Sequence, residues 1–335
     1  INQRLIEYSS DSTHARAAVV GILNTLLVAF FGCVIATVLG LFVGILRLSN
    51  NWIVSRLTSI YIEGFRNIPV LLWIVMFFAF LTEMTPAPRA FKGEDPSASM
   101  LFFDSVAITN RGTYFPMPIF GDGSIFVVLV FSLSLIAVLA YLRYARNLQR
   151  QTGKILPRFT VSALLLLAPA VLTYFILGSP IQLEYPYLKG FNFKDGIHLR
   201  NSFLALTLAL GVYTSAYIAE LVRSGIQAIP KGQTEASSAL GLRPNRVMSL
   251  IILPQAVRII VPPVISQFLN ITKNSSLAIA VGYMDVRSTL GGITLNQTGR
   301  EMESMLLLMI FYLVVSLAIS SLINFFNKAF EIRER

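Results

Sequence analysis

The sequence is poor in the residues that most active-site chemistry needs. Of its 335 residues one is cysteine, Cys33, and two are histidine, His14 and His198. A single cysteine excludes a disulfide within the chain and any cysteine-based metal site. The histidines lie far apart, with no carboxylate at metal-ligand spacing and no Ser-His-Asp arrangement around either. No Gly-x-x-x-x-Gly-Lys-Ser/Thr run is present, since Gly153-Lys154 lacks both the preceding glycine and the following hydroxyl. Charge is scarce as well: 13% of residues, against about 25% in soluble domains.

Apolar residues take that place, making up 55% of the chain, and mean hydropathy is +0.67. This is the composition of an integral membrane protein, and the runs are long enough for all-α spans of about 20 residues. They fall at 18–46, 68–81 (with a start as early as Ile60), 125–142, 159–178, 201–222, 259–281 and 304–326. Gly21, Gly32, Gly40 and Gly44 along the first run mark a face for close helix packing. Pro69 is placed to kink or open the first turn of the second run. Residues 83–124 and 179–200 are polar, Pro- and Gly-rich stretches that read as extramembrane loops, the first with Glu94, Asp95, Asp104 and Asp122.

The net charge of +10 does not point to nucleic acid, because its distribution follows topology. The ends at 47–67, 143–158, 220–258 and 327–335 carry 16 Lys/Arg against 5 Asp/Glu, and the remaining segments 11 against 12. The positive-inside rule places the first set in the cytoplasm. Residues 1–17 then lie outside, which leads to the expectation of an upstream segment with one further span.

The most unusual stretch is 230–254, a small-residue interlude in an apolar chain. Pro230 interrupts the preceding helix, residues 231–240 read as a short helix, and Gly241 is placed as its left-handed C′ residue. Pro244 suits the start of a second helix, and Pro254 its close. Ala236, Ser237, Ser238 and Ala239, with Gly232 near the start, give the first helix little bulk, a shape suited to a docking partner, and Glu235, toward the positive end of the helix dipole, can accept a hydrogen bond from that partner. An ordinary helix lying on the membrane surface has the same shape.

Polar groups inside the spans are costly, about 2.5–3.5 kcal/mol for a charge at a helix centre. Asn270, Thr272, Lys273, Asn274, Ser275 and Ser276 cluster in the sixth span. They either line a translocation path or, through Lys273, tie neighbouring helices together by hydrogen bonds to carbonyls. In the fifth span Tyr213, Tyr217 and Glu220 share a face. That face either points into the path, or Glu220 simply pairs with Arg223. Asn24, Thr25 and Thr37 are weaker candidates for the path and read first as groups satisfied by backbone.

Several spaced motifs resemble one family. Glu235-Ala236, then Gly241, then Leu253-Pro254 match the EAA loop of ABC importer membrane subunits. The flanking residues 217–226 and 273–277, together with Tyr61-Ile62-Glu63-Gly64-Phe65-Arg66-Asn67-Ile68-Pro69, look like the polar and general L-amino-acid uptake branch. Ser237 stands where the commonest loop has its second alanine, and it too is small. The resemblance covers roughly residues 20–82 and 200–330. It implies a type I importer-like transmembrane domain with a five-span core, residues 18–82 and 201–327, interrupted at 83–200 by an inserted two-span hairpin. An even number of inserted spans preserves the orientation of everything after it. Residues 1–17 are then an extracytoplasmic segment and 328–335 a cytoplasmic tail.

The resemblance further implies a permease subunit in a bacterial cytoplasmic membrane, not itself an enzyme. An extracytoplasmic binding protein would deliver an amino acid, and a second permease chain, similar or identical, would complete the path. A dimer of separate ABC ATPase subunits, holding ATP and Mg, would drive it through the cytoplasmic loop 230–254. On this reading no cofactor, metal or nucleic acid belongs to the chain. An ion-coupled secondary transporter would instead show internal inverted repeats and midplane ionisable groups; the sequence has no such repeat. An intramembrane enzyme finds no nucleophile–base pair or metal set to support it.

Overall fold

The computed structural model describes residues 6, 8, 9, 11–92, 96–154 and 156–330, the last five of them by backbone only. Glu94 and Asp95 of the polar segment, residues 331–335 of the tail and several of residues 1–17 lie outside the described residues. In chain order the helices are α1 (His14–Arg47), α2 (Trp52–Asn67), α3 (Val70–Glu83), α4 (Ser124–Thr152), α5 (Arg158–Ile176), α6 (Asn201–Gln227), α7 (Lys231–Ala239), α8 (Pro244–Val247), α9 (Leu253–Asn274), α10 (Val286–Ser288), α11 (Leu295–Thr298) and α12 (Glu301–Phe330). Among the described residues six helices or helical runs are long and apolar enough to cross a bilayer, and α2 with α3 would make a seventh as a broken span. The chain divides into two compact units, residues 1–85 with 200–335, and residues 86–199.

In the first unit the most extensive contact is between α1 and α6, and small residues build it. A Cβ on Gly40 would lie 2.6 Å from the Ile218 side chain, one on Gly44 2.7 Å from Val222, and one on Gly211 2.7 Å from Ile35. With no water to drive helices together in lipid, such close approach supplies the dispersion contacts that hold them. Thr13 caps α1 through its hydroxyl, which accepts from the Arg16 amide at 3.3 Å.

One expectation is borne out in this unit and another is corrected. As its place in the run led one to expect, Pro69 kinks the second apolar run: α2 and α3 meet at Ile68–Pro69 with a bend of 105°, because Pro69 has no amide to continue the ladder. Pro254 does not close a helix. It sits in the first turn of α9, and one helical run continues from Pro244 to Val281 through a π turn at 248–252. The wider turn absorbs the missing proline N–H, and the Gln255 side-chain amide donates to the Ile251 carbonyl at 2.9 Å. The segment 282–303 is folded as well. After left-handed Gly282 it folds into α10, a π turn at 289–294 and α11, and contacts α1.

The second unit holds the α4–α5 pair and a lobe of seven short strands: β1 (Ala107–Thr109), β2 (Gly112–Phe115), β3 (Met117–Phe120), β4 (Ile181–Glu184), β5 (Tyr187–Lys189), β6 (Asn192–Lys194) and β7 (Ile197–Leu199). They form antiparallel sheets β1-β2-β7, β3-β4 and β5-β6. The lobe has its own small core of Ala107, Tyr114 and Phe193, flanked by Phe91, Met100 and Leu188. Thus the described part of the first unit is helical, while in the second the two polar stretches add strands whose runs of three or four residues are too short to register as a period in the sequence.

Candidate coupling loop and translocation path

The α7 helix is held in place by its ends. Its C-terminus is a Schellman motif, with the Leu242 amide on the Ser237 carbonyl at 3.2 Å and the Gly241 amide on the Ser238 carbonyl at 2.9 Å. Gly241 has φ +76°, which glycine adopts without a Cβ penalty. Pro244 opens α8 at the first helical position, as its missing N–H allows. Between these ends nearly every α7 residue is exposed: Gly232, Glu235, Ala236 and Ala239 face outward, and Leu240 is 82% exposed. Ser237 is the exception, buried on the chain's own side, with its hydroxyl returned to the Gln233 carbonyl of the same helix. Glu235 is the fifth residue of α7, beyond the first turn in which the helix dipole acts. Its carboxylate therefore lacks the dipole stabilisation expected from the sequence.

A second polar surface lies on α6. The Tyr213 and Tyr217 hydroxyls are 2.9 Å apart and both residues are half-buried. One turn on, Glu220 forms a two-pronged pair with Arg223, which in turn reaches Gln227. The sequence spacing showed this face. It gave no sign of α2's contribution: the Arg66 guanidinium stands 5.1 Å over the Tyr217 ring, and Tyr61 meets the Ser215 hydroxyl at 2.7 Å. A cation over an aromatic face is a favourable electrostatic contact.

The sixth-span cluster separates into two faces. Thr272 and Ser275 are buried and donate to the Phe268 and Thr272 carbonyls. Lys273 and Asn270 are exposed, and Asn274 is half-buried. Asn270 donates to Gln267, and Lys273 makes no side-chain hydrogen bond among the described residues.

At a third polar locus Asn24 and Thr25 are satisfied by backbone, as the sequence reading has it, but by that of a distant segment. Asn24 and Thr25 of α1 bind the backbone of the 283–286 segment: the Asn24 amide donates to the Met284 carbonyl at 2.8 Å, and the Thr25 hydroxyl accepts from the Val286 amide at 3.0 Å. Between them Asp285 is fully buried, with Oδ1 capping α10 at the Ser288 amide (2.9 Å) and Oδ2 unpartnered among the described residues. Burial pushes this carboxyl above the usual aspartate range, against the lowering effect of its bonds to Ser288.

Among the described residues no group of three or more His, Cys, Asp or Glu is placed to hold a metal. Bilayer-length helices packed through glycine faces, together with an exposed small-residue helix on a rigid turn, define a multi-pass membrane subunit. Residues 151–335 match the family described as binding-protein-dependent transport system inner membrane component. The chain is 53% identical to the glutamate/glutamine/aspartate/asparagine transport system permease protein BztB of Rhodobacter capsulatus, covering 99% of this chain and 83% of that protein. It is 44% identical to the putative amino-acid ABC transporter permease protein YhdX of Escherichia coli, covering 100% and 83%. It is 42% identical to the general L-amino acid transport system permease protein AapQ of Rhizobium johnstonii, covering 100% and 82%. A crystal structure of an amino acid ABC transporter shares the fold, with a TM-score of 0.55 at 19% identity over 97% of this chain and 99% of that one. The chain belongs to the family of inner membrane components of binding-protein-dependent transport systems, as an ABC importer permease.

Proposed function

We propose that this chain imports amino acids as the permease subunit of an ATP-driven importer, taking them from an extracytoplasmic binding protein and answering to a separate ATPase dimer at α7. The observation that carries this reading is α7 itself. It is an exposed helix with small residues Gly232, Ala236, Ser238 and Ala239 on its outward side, and its exit is fixed by a left-handed glycine. Such a helix contributes little to the chain's own core, and its shape suits insertion into a partner's groove. The loop 230–254 is then cytoplasmic, as its basic flanks require. The chain itself performs no catalysis: ATP and Mg belong to the ATPase, and a second permease, identical or similar, completes the path.

Substrate passage is assigned to the α6 face of Tyr213, Tyr217 and Glu220, joined by Arg66, and to Asn270, Lys273 and Asn274, while Ser275, buried with its hydroxyl on the Thr272 carbonyl, is left out of it. Hydroxyls, a free ammonium and a guanidinium are suited to a zwitterionic amino acid. Acidic and amide amino acids are the first to try, since the relative that is 53% identical is named for them.

The test is reconstitution in nanodiscs with the ATPase and binding-protein partners, reading ATP hydrolysis with each candidate amino acid. Stimulation by loaded binding protein, abolished in Glu235→Lys while the variant remains folded, is the expected result. Uptake by this chain alone, driven by an ion gradient without ATP, overturns the proposal.

A further inference from the structure

The inserted helical pair ends in cations that no nearby acid in the sequence neutralises. No Asp or Glu occurs between Asp122 and Glu184, while Arg143, Arg146, Arg150, Lys154 and Arg158 all fall between positions 143 and 158. Arg158 donates to the Gln149 side chain and so ties the start of α5 to the end of α4. The other arginines are free of such duty: Arg143, Arg146 and Arg150 are exposed, and none makes an ion pair among the described residues.

Their placement is ordered. At about 100° per residue, Arg143, Arg146 and Arg150 lie within an arc of about 80° that also holds Ile136 and Leu139. Ile136 is 61% and Leu139 54% exposed, so one face of α4 runs from apolar to basic without a break. The apolar run 125–142 spans about 27 Å, close to the ~30 Å thickness of the hydrocarbon layer. The three arginines follow over roughly the next 10 Å, the depth of the headgroups. Beside them Phe159, at the start of α5, is 88% exposed, and none of α5's apolar stretch is buried.

We infer that this stripe binds the phosphate groups of anionic phospholipids, with the apolar part of the same face against their acyl chains. Guanidinium groups match phosphate oxygens in pairs. Continuity with a lipid-facing apolar surface favours a lipid over any soluble anion. A run that served only to orient the pair during insertion would need positive charge, but no single helical face.

The test uses the full-length chain in a neutral detergent with dioleoyl-phosphatidylglycerol or dioleoyl-phosphatidylcholine added, reading retained lipid by native mass spectrometry. The wild-type chain is expected to retain the glycerol lipid in preference, and about 0.5 M salt to abolish the difference as screening shortens to a few ångströms. R143Q/R146Q/R150Q is expected to lose the preference, each removed cation costing about fivefold, whereas K189Q/K194Q, in the extramembrane lobe, keeps it. Equal retention of the two lipids by the wild-type chain overturns the inference. So does an unchanged preference in the triple variant, which would leave the run as an orientation signal only. Should the triple variant fail to insert, R150Q and R143K/R146K/R150K take its place: the first is expected to lose about fivefold and the second to keep most of the preference. The reverse result overturns the inference equally.

Discussion

α5 and α6 are both apolar helices of bilayer length, yet they are built for opposite surroundings. The most apolar stretch of α6 is 67% buried, and that of α5 not at all. The difference lies in which residues interrupt the apolar run. α6 carries Ser202, Thr207, Gly211, Thr214, Ser215 and Gly225 on buried positions, while α5 presents Leu164, Leu167, Val171 and Leu172 outward. Lipid tails are as apolar as leucine, so leucine gains nothing by facing protein. Small and hydroxyl residues gain close packing and hydrogen bonds there. Apolarity alone therefore marks a span, and its small-residue pattern tells which face meets protein.

The sharpest way to break this comparison is Gly40→Leu. Its Cβ would already lie 2.6 Å from Ile218 and 3.0 Å from the Ser215 carbonyl. The cost is expected at or above the usual ~1–3 kcal/mol of overpacking, seen as loss of the folded chain in a detergent thermal melt. Asp285→Ala comes next, because it strips the cap from the Ser288 amide and is expected to cost about 1–2 kcal/mol. Asp285→Asn keeps that acceptor and removes the buried charge. The folded carboxyl titrates above the unfolded value of about 3.9. The wild-type chain therefore loses stability as pH rises from that value through the raised one, and Asp285→Asn is expected to flatten the slope of unfolding midpoint against pH over that window.

Smaller still is Gly241→Ala. No atom would meet the new Cβ, so only the φ of +76° is strained, and about 1 kcal/mol is expected. Coupled ATP hydrolysis should suffer more than the melt does. Leu167→Ala on the exposed face of α5 and Ser237→Ala are expected within about 0.5 kcal/mol of wild type in the same melt. The serine hydroxyl serves only its own helix, and the leucine is 56% exposed. A large effect of Leu167→Ala would show that α5 packs against protein and would erase the contrast with α6.

Local chemistry made much of this fold legible. Apolar runs of bilayer length marked α1, α4, α5, α6 and α12 to within a few residues, apart from longer polar ends. The helix stop at Gly241 and start at Pro244 followed from backbone chemistry that needs no partner. The Tyr213–Tyr217 contact followed from a four-residue spacing. The prolines were legible in part: Pro69 is placed to kink its run and does, but Pro254 reads as the close of a helix and is not. A proline removes one donor, and whether the chain then stops, bends or widens depends on what surrounds it. At Pro69 it bends, and at Pro254 a π turn carries the helix through.

By itself the sequence determined that this chain is a membrane protein, where its spans fall, and where a small-residue helix interrupts them, because each of these depends on residues adjacent along the chain or one turn apart. Only the tertiary structure decided that Arg66 stands over Tyr217, that Ser237 turns inward while Glu235 and Ala236 turn out, and that Asn24 and Thr25 clasp a segment some 260 residues away around a buried Asp285. Those contacts join groups far apart in the chain, and a hydrogen bond or a stacked cation leaves no period in a sequence.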